Sequence, residues 1–148
     1  MAIEWHKKEL VAKLRAISEQ LVEKYPISFV ILFGSYAKGK VNNLSDIDLG
    51  VFLNRDSKIA YFDSLLTLKT LFEEQLKTEQ IDLVIINNAP PVLKFEIVAK
   101  GILIYCKDRN EFDNQYLQAC SEYFDFKFIL NRNYQYVRDK IRESASNE

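Results

Sequence analysis

Apolar residues recur at steps of three and four near the start of the chain: Leu10, Leu14, Ile17 and Leu21. That period predicts an amphipathic helix over roughly residues 4–24, stopped by Pro26. Residues 28–33 form a short unbroken apolar run rich in β-formers, which reads as a buried strand. Gly34 and Ser35 end it, and the polar stretch at 38–45 has loop chemistry. Residues 46–53 alternate well enough for a second strand. Tyr61, Leu65, Leu68, Phe72 and Leu76 mark a second helix, and residues 80–86 a third strand closed by Asn87 and Asn88. Pro90 and Pro91 suit the first turn of a helix, Gly101 suits its stop, and residues 102–106 form a fourth short strand. From Asp108 onward there is no Gly and no Pro. Phe112, Tyr116, Ala119, Tyr123, Phe126, Leu130, Tyr134, Val137 and Ile141 keep helical spacing there, in one long helix or two with a bend. Helices interleaved with short strands point to an α/β or α+β domain.

Composition narrows the class. The 148 residues are enough for one domain, and 48% hydrophobic with 28% charged is a globular mix. A net charge of −1 argues against binding nucleic acid through global charge, so no direct nucleic-acid contact is expected. Cys106 and Cys120 are the only cysteines and suggest no staple, so a reducing cytoplasm is the simplest compartment. The single histidine, His6, nearly excludes a Cys/His zinc site. It also excludes the Ser/His/Asp and Cys/His triads unless His6 itself is the base. The start lacks the apolar core of a secretory signal, and the longest apolar run, residues 29–33, is far below a membrane span. No membrane partner is expected.

Candidate chemistry centres on carboxylates. Alternate residues of a strand share a face, so Asp46 and Asp48 fall together and Ile47, Leu49 and Val51 take the other side. Asp82 sits inside Ile-Asp-Leu-Val-Ile-Ile, a run that otherwise reads as buried, where an ionised carboxylate is costly without compensation. If the second and third strands are neighbours, three acids converge. Oxygen-only ligands suit magnesium or manganese, and two such ions about 3.5–4 Å apart can hold both oxygens of a phosphoryl displacement. The bland alternative is a solvated D-x-D strand end, with Asp82 at an exposed end of its own strand.

Gly34-Ser35 is the second feature. Gly after a buried strand lets the backbone turn and a ligand approach, and the N–H groups that follow favour phosphate at a helix N-terminus. The alternative is a plain strand-to-helix turn with Ser35 as N-cap. Residues 34–41 nearly match the P-loop G-x-x-x-x-G-K-[ST], but Val41 has no hydroxyl for a metal and Asn42-Asn43 interrupts the helix a P-loop must launch.

The combination is more specific than its parts. Gly34-Ser35-Tyr36-Ala37-Lys38-Gly39 after an apolar strand, then Ser45-Asp46-Ile47-Asp48-Leu49, resembles the nucleotidyltransferase superfamily of polymerase-β type. Asp82 fits that family's third acid in type and position, and the chain looks most like the minimal nucleotidyltransferases. The resemblance implies a small mixed sheet flanked by helices with a long C-terminal helix. It divides the chain into a catalytic unit, residues 1–106, and a helical extension packed on it, residues 107–148, within one structural domain. It implies that Asp46, Asp48 and Asp82 bind magnesium, two ions in all, and are the catalytic acids. Gly34 and Ser35 would cradle the β/γ-phosphates of ATP, with Lys38 and Ser45 as further nucleotide contacts. Many relatives carry Arg at the position of Lys38, a planar fork rather than a point charge. The implied reaction is in-line attack at the α-phosphate with release of pyrophosphate.

Minimal nucleotidyltransferases are often paired with HEPN-domain proteins in toxin–antitoxin modules. The resemblance therefore implies an antitoxin that transfers AMP to a tyrosine of its HEPN ribonuclease partner. A small-molecule nucleotidyltransferase and an antitoxin acting by contact alone stay open. One stripe of the C-terminal helix is expected to cover the sheet. Phe124, Phe128 and Tyr136 fall off that stripe and suggest a second apolar surface for a partner, unless a bend buries both sets. Residues 127–142 carry five bases and one acid, a solvated face or a contact for an acidic partner or RNA.

Overall fold

The computed structural model describes residues 6–41, 45–54 and 60–146. The expected helix start at residues 4–5, and Asn42, Asn43 and Leu44 of the expected loop, lie outside them. The elements run α1 (Lys7–Leu21), β1 (Ile27–Phe33), α2 (Gly34–Lys38), β2 (Ile47–Leu53), α3 (Tyr61–Leu76), β3 (Ile81–Ile85), α4 (Pro91–Lys100), β4 (Ile102–Cys106) and α5 (Arg109–Ser146). A single 3-10 turn, Ile86–Asn88, follows β3.

The four strands form one mixed sheet in the order β3-β2-β1-β4. β1 pairs antiparallel with β2 and with β4, while β2 and β3 run parallel, joined through α3. A parallel neighbour needs such a crossover, which is why a helix separates β2 from β3 in the chain. Helices cover both faces. Leu10, Leu14, Ile17 and Leu21 of α1, with Leu68, Phe72 and Leu76 of α3, bury against Val30, Leu32, Leu49, Val51 and Ile81. On the opposite face Phe29 and Phe52 stack with centroids 4.8 Å apart, and Phe112 of α5 meets Phe29 edge-on at 5.2 Å. Ile97 and Val98 of α4 complete that second cluster.

Pro91 opens α4 as expected, but Gly101 stops it for another reason. Its backbone is extended rather than left-handed, with φ −78°. A Cβ there would run into Ile31 and the backbone of Ile97 and Leu32, so the position needs the absence of a side chain. Asp108 begins α5, its Oδ1 accepting the Asn110 N–H at 2.9 Å.

α5 is one uninterrupted helix to Ser146, without the separate second helix that the spacing also allowed. The expected covering of the sheet by its apolar stripe holds only for the first turns. Phe112, Gln115 and Ala119 are buried, whereas every described residue from Phe124 onward is exposed.

Where β3 ends, Asn87 takes over its pairing. Its side chain accepts the Leu53 N–H at 2.8 Å and donates to the Leu53 carbonyl at 2.9 Å. Leu53 is buried, so losing both bonds strands its backbone groups. Asn87→Ala is expected to lower the unfolding free energy by about 1–3 kcal/mol, read from urea titration. An unchanged midpoint would mean that water replaces the amide.

Candidate active site

Strand register brings the sequence-predicted groups together. Asp48 lies opposite Phe33, the last residue of β1, and directly beside Asp82 on β3. Gly34 follows Phe33 with φ +72°, a left-handed conformation that favours glycine. A Cβ at Gly34 would collide with the Asp48 carboxylate, so the β1–α2 turn and the acid share one small space. α2 starts at this turn and is anchored by Tyr36, which is buried in the core. Its N-cap position is Phe33, with no side-chain cap, so Ser35 lies inside the first turn and the N-cap alternative for Ser35 falls away.

Asp46 stands just before β2 rather than within it, because the strand begins at Ile47, and it is exposed. Ile47, Leu49 and Val51 bury on the α1/α3 side as the alternation predicts. For Asp82 the exposed-end alternative holds over a buried carboxylate. Its neighbours Ile81, Leu83 and Ile85 are buried, but Asp82 itself is exposed. β3 is an edge strand, and the face carrying Asp82 is not covered at that point. Ser45 is half-buried ahead of β2.

The carboxylates act on one another. Burial pushes the Asp48 pKa up to about 6, and the charges of Asp82 and Asp46 add to the rise. Among the described residues no three His, Cys, Asp or Glu side chains are close enough to hold a metal by themselves. The donor set is nevertheless all oxygen, and repulsion centred on Asp48 is what a divalent cation relieves. Magnesium characteristically takes one or two carboxylates and fills its remaining positions with water and substrate phosphate, so an open set of acids fits it.

Lys38 ends α2, and its ammonium lies 3.9 Å from Glu96 on α4. Glu96 was not singled out by the sequence. A hydrogen bond from Lys100 holds its carboxyl below the usual range, and the charges of Lys100 and Lys38 add to that effect. Only the helix–helix geometry reveals this tether, because residues 38 and 96 share no local pattern.

Residues 15–110 match the family described as Polymerase beta, Nucleotidyltransferase. The chain belongs to this nucleotidyltransferase family. Within it, the Protein adenylyltransferase MntA of Aphanizomenon flos-aquae (strain 2012/KM1/D3) is 26% identical over 110 residues, 70% of this chain and 73% of that protein. Among solved structures, a toxin–antitoxin with AMP-PNP superposes with a TM-score of 0.65 at 21% identity, covering 86% of this chain and 98% of that one. The MNT antitoxin complexed with tri-AMPylated HEPN toxin of Shewanella oneidensis gives 0.63 at 18% identity, covering 93% and 99%. These superpositions show that the nucleotidyltransferase has the polymerase-β-type α+β fold. Among its described residues no helix is long and apolar enough to cross a membrane.

The raised Asp48 pKa has a direct effect on stability. A carboxyl whose folded pKa exceeds its unfolded value favours folding below the unfolded pKa, near 3.8, and loses that contribution as pH rises through about 6. Metal-free Asp48→Asn should therefore match wild type at pH 4 and gain stability above pH 6. The gain is on the order of 1 kcal/mol, discounted for solvent around this half-buried group. Thermal melts across that range test it, and parallel curves for the two proteins would contradict it.

Proposed function

We propose that this nucleotidyltransferase is a magnesium-dependent protein adenylyltransferase. It moves AMP from ATP to a tyrosine of a cognate HEPN-domain ribonuclease toxin and thereby acts as its antitoxin. The observation carrying this reading is the alignment of Asp48 with Asp82 on adjacent parallel strands, beside the left-handed Gly34 turn. The relative called a protein adenylyltransferase, and the similar folds solved with AMP-PNP and with AMPylated HEPN toxin, support it.

In this reading residues 1–106 form the catalytic unit, residues 107–148 the helical extension, and the cytoplasm is the place of action. Asp46, Asp48 and Asp82 hold magnesium, which when bound supplies Lewis-acid stabilisation of the phosphates. Gly34 and Ser35 present backbone N–H groups to the β/γ-phosphates, with Ser45 beside the acids and Lys38 as a further phosphate contact. Lys38 must exchange its Glu96 partner for the nucleotide, which an exposed ion pair permits at small cost. Asp82, exposed at the sheet edge, is open to the acceptor and takes the hydroxyl proton. The tyrosine oxygen bonds to the α-phosphorus as the bond to the bridging α/β oxygen breaks. Pyrophosphate leaves with that electron pair.

The test is transfer of label from α-labelled ATP to purified HEPN-domain protein in the presence of magnesium. Asp46→Asn and Asp48→Asn should each reduce labelling by about a hundredfold or more. Label on a small molecule only would favour an antibiotic-type transferase. Full toxin neutralisation by both variants would favour an antitoxin acting by contact. Ser35→Ala should raise the ATP concentration needed for half-maximal labelling, and an unchanged dependence would remove Ser35 from the phosphate site.

A further inference from the structure

We infer that the exposed half of α5, residues 124–146, is the surface that seats the HEPN-domain partner through an apolar seam rimmed by bases, against a partner face edged with acids. The inference rests on the partner proposed above and adds where that partner is held. One helical period runs the whole length of α5. Its first turns bury Phe112 and Ala119 against the sheet. The helix then meets α4, where Tyr123 stacks on Phe95 at 4.0 Å, Phe124 meets the same ring edge-on at 6.1 Å and Glu122 lies 3.8 Å from the buried Lys94. Beyond that point the same phase continues as Phe126, Leu130, Tyr134, Val137 and Ile141, all of them exposed among the described residues. Leu130 is 51% exposed, Val137 53% and Ile141 65%.

At 1.5 Å per residue the uncovered part is about 35 Å long, and such a contiguous apolar patch exceeds what a monomer usually leaves in water. Its aromatic and arginine content is that of an interface core rather than a solvated helix face. The stripe also lies beyond residues 15–110, the part that matches the nucleotidyltransferase family.

Charge decides the occupant. Residues 124–146 carry five bases and three acids, and helical phase puts Asp125, Asp139 and Glu143 on the side away from the stripe while Lys127, Arg138 and Lys140 flank it. A symmetric pairing of this stripe with that of a second copy would set the same basic excess against itself. A different chain with an acidic rim meets no such penalty and gains steering on approach.

The experiment measures binding of the full chain to the purified HEPN-domain protein by calorimetry. Two variants are compared with wild type: Leu130→Glu with Val137→Glu, and Lys127→Glu with Arg138→Glu, the two bases that flank the stripe on one side. All four positions are exposed and lie outside the residues assigned to metal and nucleotide, so helix content by circular dichroism and affinity for AMP-PNP should be unchanged. Each variant is expected to weaken the complex by about tenfold or more, and added salt to weaken the wild-type complex. Wild-type affinity in both variants would overturn the assignment while leaving the partner in place. So would a wild-type homodimer that the Leu130/Val137 variant converts to monomer. No complex with wild type would remove the partner reading itself, and this assignment with it.

Discussion

Like charges brought together repel, and this fold holds its acids together regardless. Asp48 is flanked by Asp82 on the next strand and lies within range of Asp46, and its carboxyl responds by resisting ionisation. Side-chain flexibility cannot relieve this, because the parallel pairing of β2 with β3 fixes the two positions side by side. The energy that imposes the pairing comes from the opposite face of the same strands. There Ile47, Leu49, Val51, Ile81, Leu83 and Ile85 are buried under α1 and α3. The site is therefore strained by construction and suited to taking up positive charge. Gly34 tightens the constraint, since the turn it forms occupies the space next to the Asp48 oxygens.

Most of the framework was legible in the chain because it follows from period. Steps of three and four placed α1, α3 and α5, alternation placed β2, and Pro91 and Gly101 bracketed α4. Two of the site's acids were readable from their spacing, and the third from an acid inside an apolar run. What stayed hidden depends on strand order and on distant neighbours. Asp82 reads as buried until β3 is known to be an edge strand. The turn after α3 carries no glycine, yet Lys77 adopts φ +55° there, a conformation with no local cue in its residue type. Gly101 looks like a left-handed stop and is instead a point of close packing. The tether between Lys38 and Glu96 joins residues far apart in the chain. Periodicity also says that a helix has an apolar face without saying what lies on it, which is why the two halves of α5 read alike but differ in burial.

The two faces of the sheet divide the labour. The α1/α3 side is continuous core. On the other side α4 and the start of α5 cover only part of the surface, leaving the acids open at the β2/β3 end. At that end Asp82 is exposed and Asp48 half-buried beside it, with the Gly34 turn and α2 alongside. Beyond α4 the second half of α5 is exposed, so the sheet-packed and uncovered parts of this helix are distinct.

The register of β3 has a consequence for quality control. Side chains alternate across a strand, so a slip of one residue would turn Asp82 inward and push Leu83 out into solvent. The error that disables the acid pair would also drive a carboxylate into the core. A chain misaligned in this way is thus unstable, because the same slip exposes an apolar side chain and buries a charged one. The hydrophobic pattern works as a checksum on the placement of the acids.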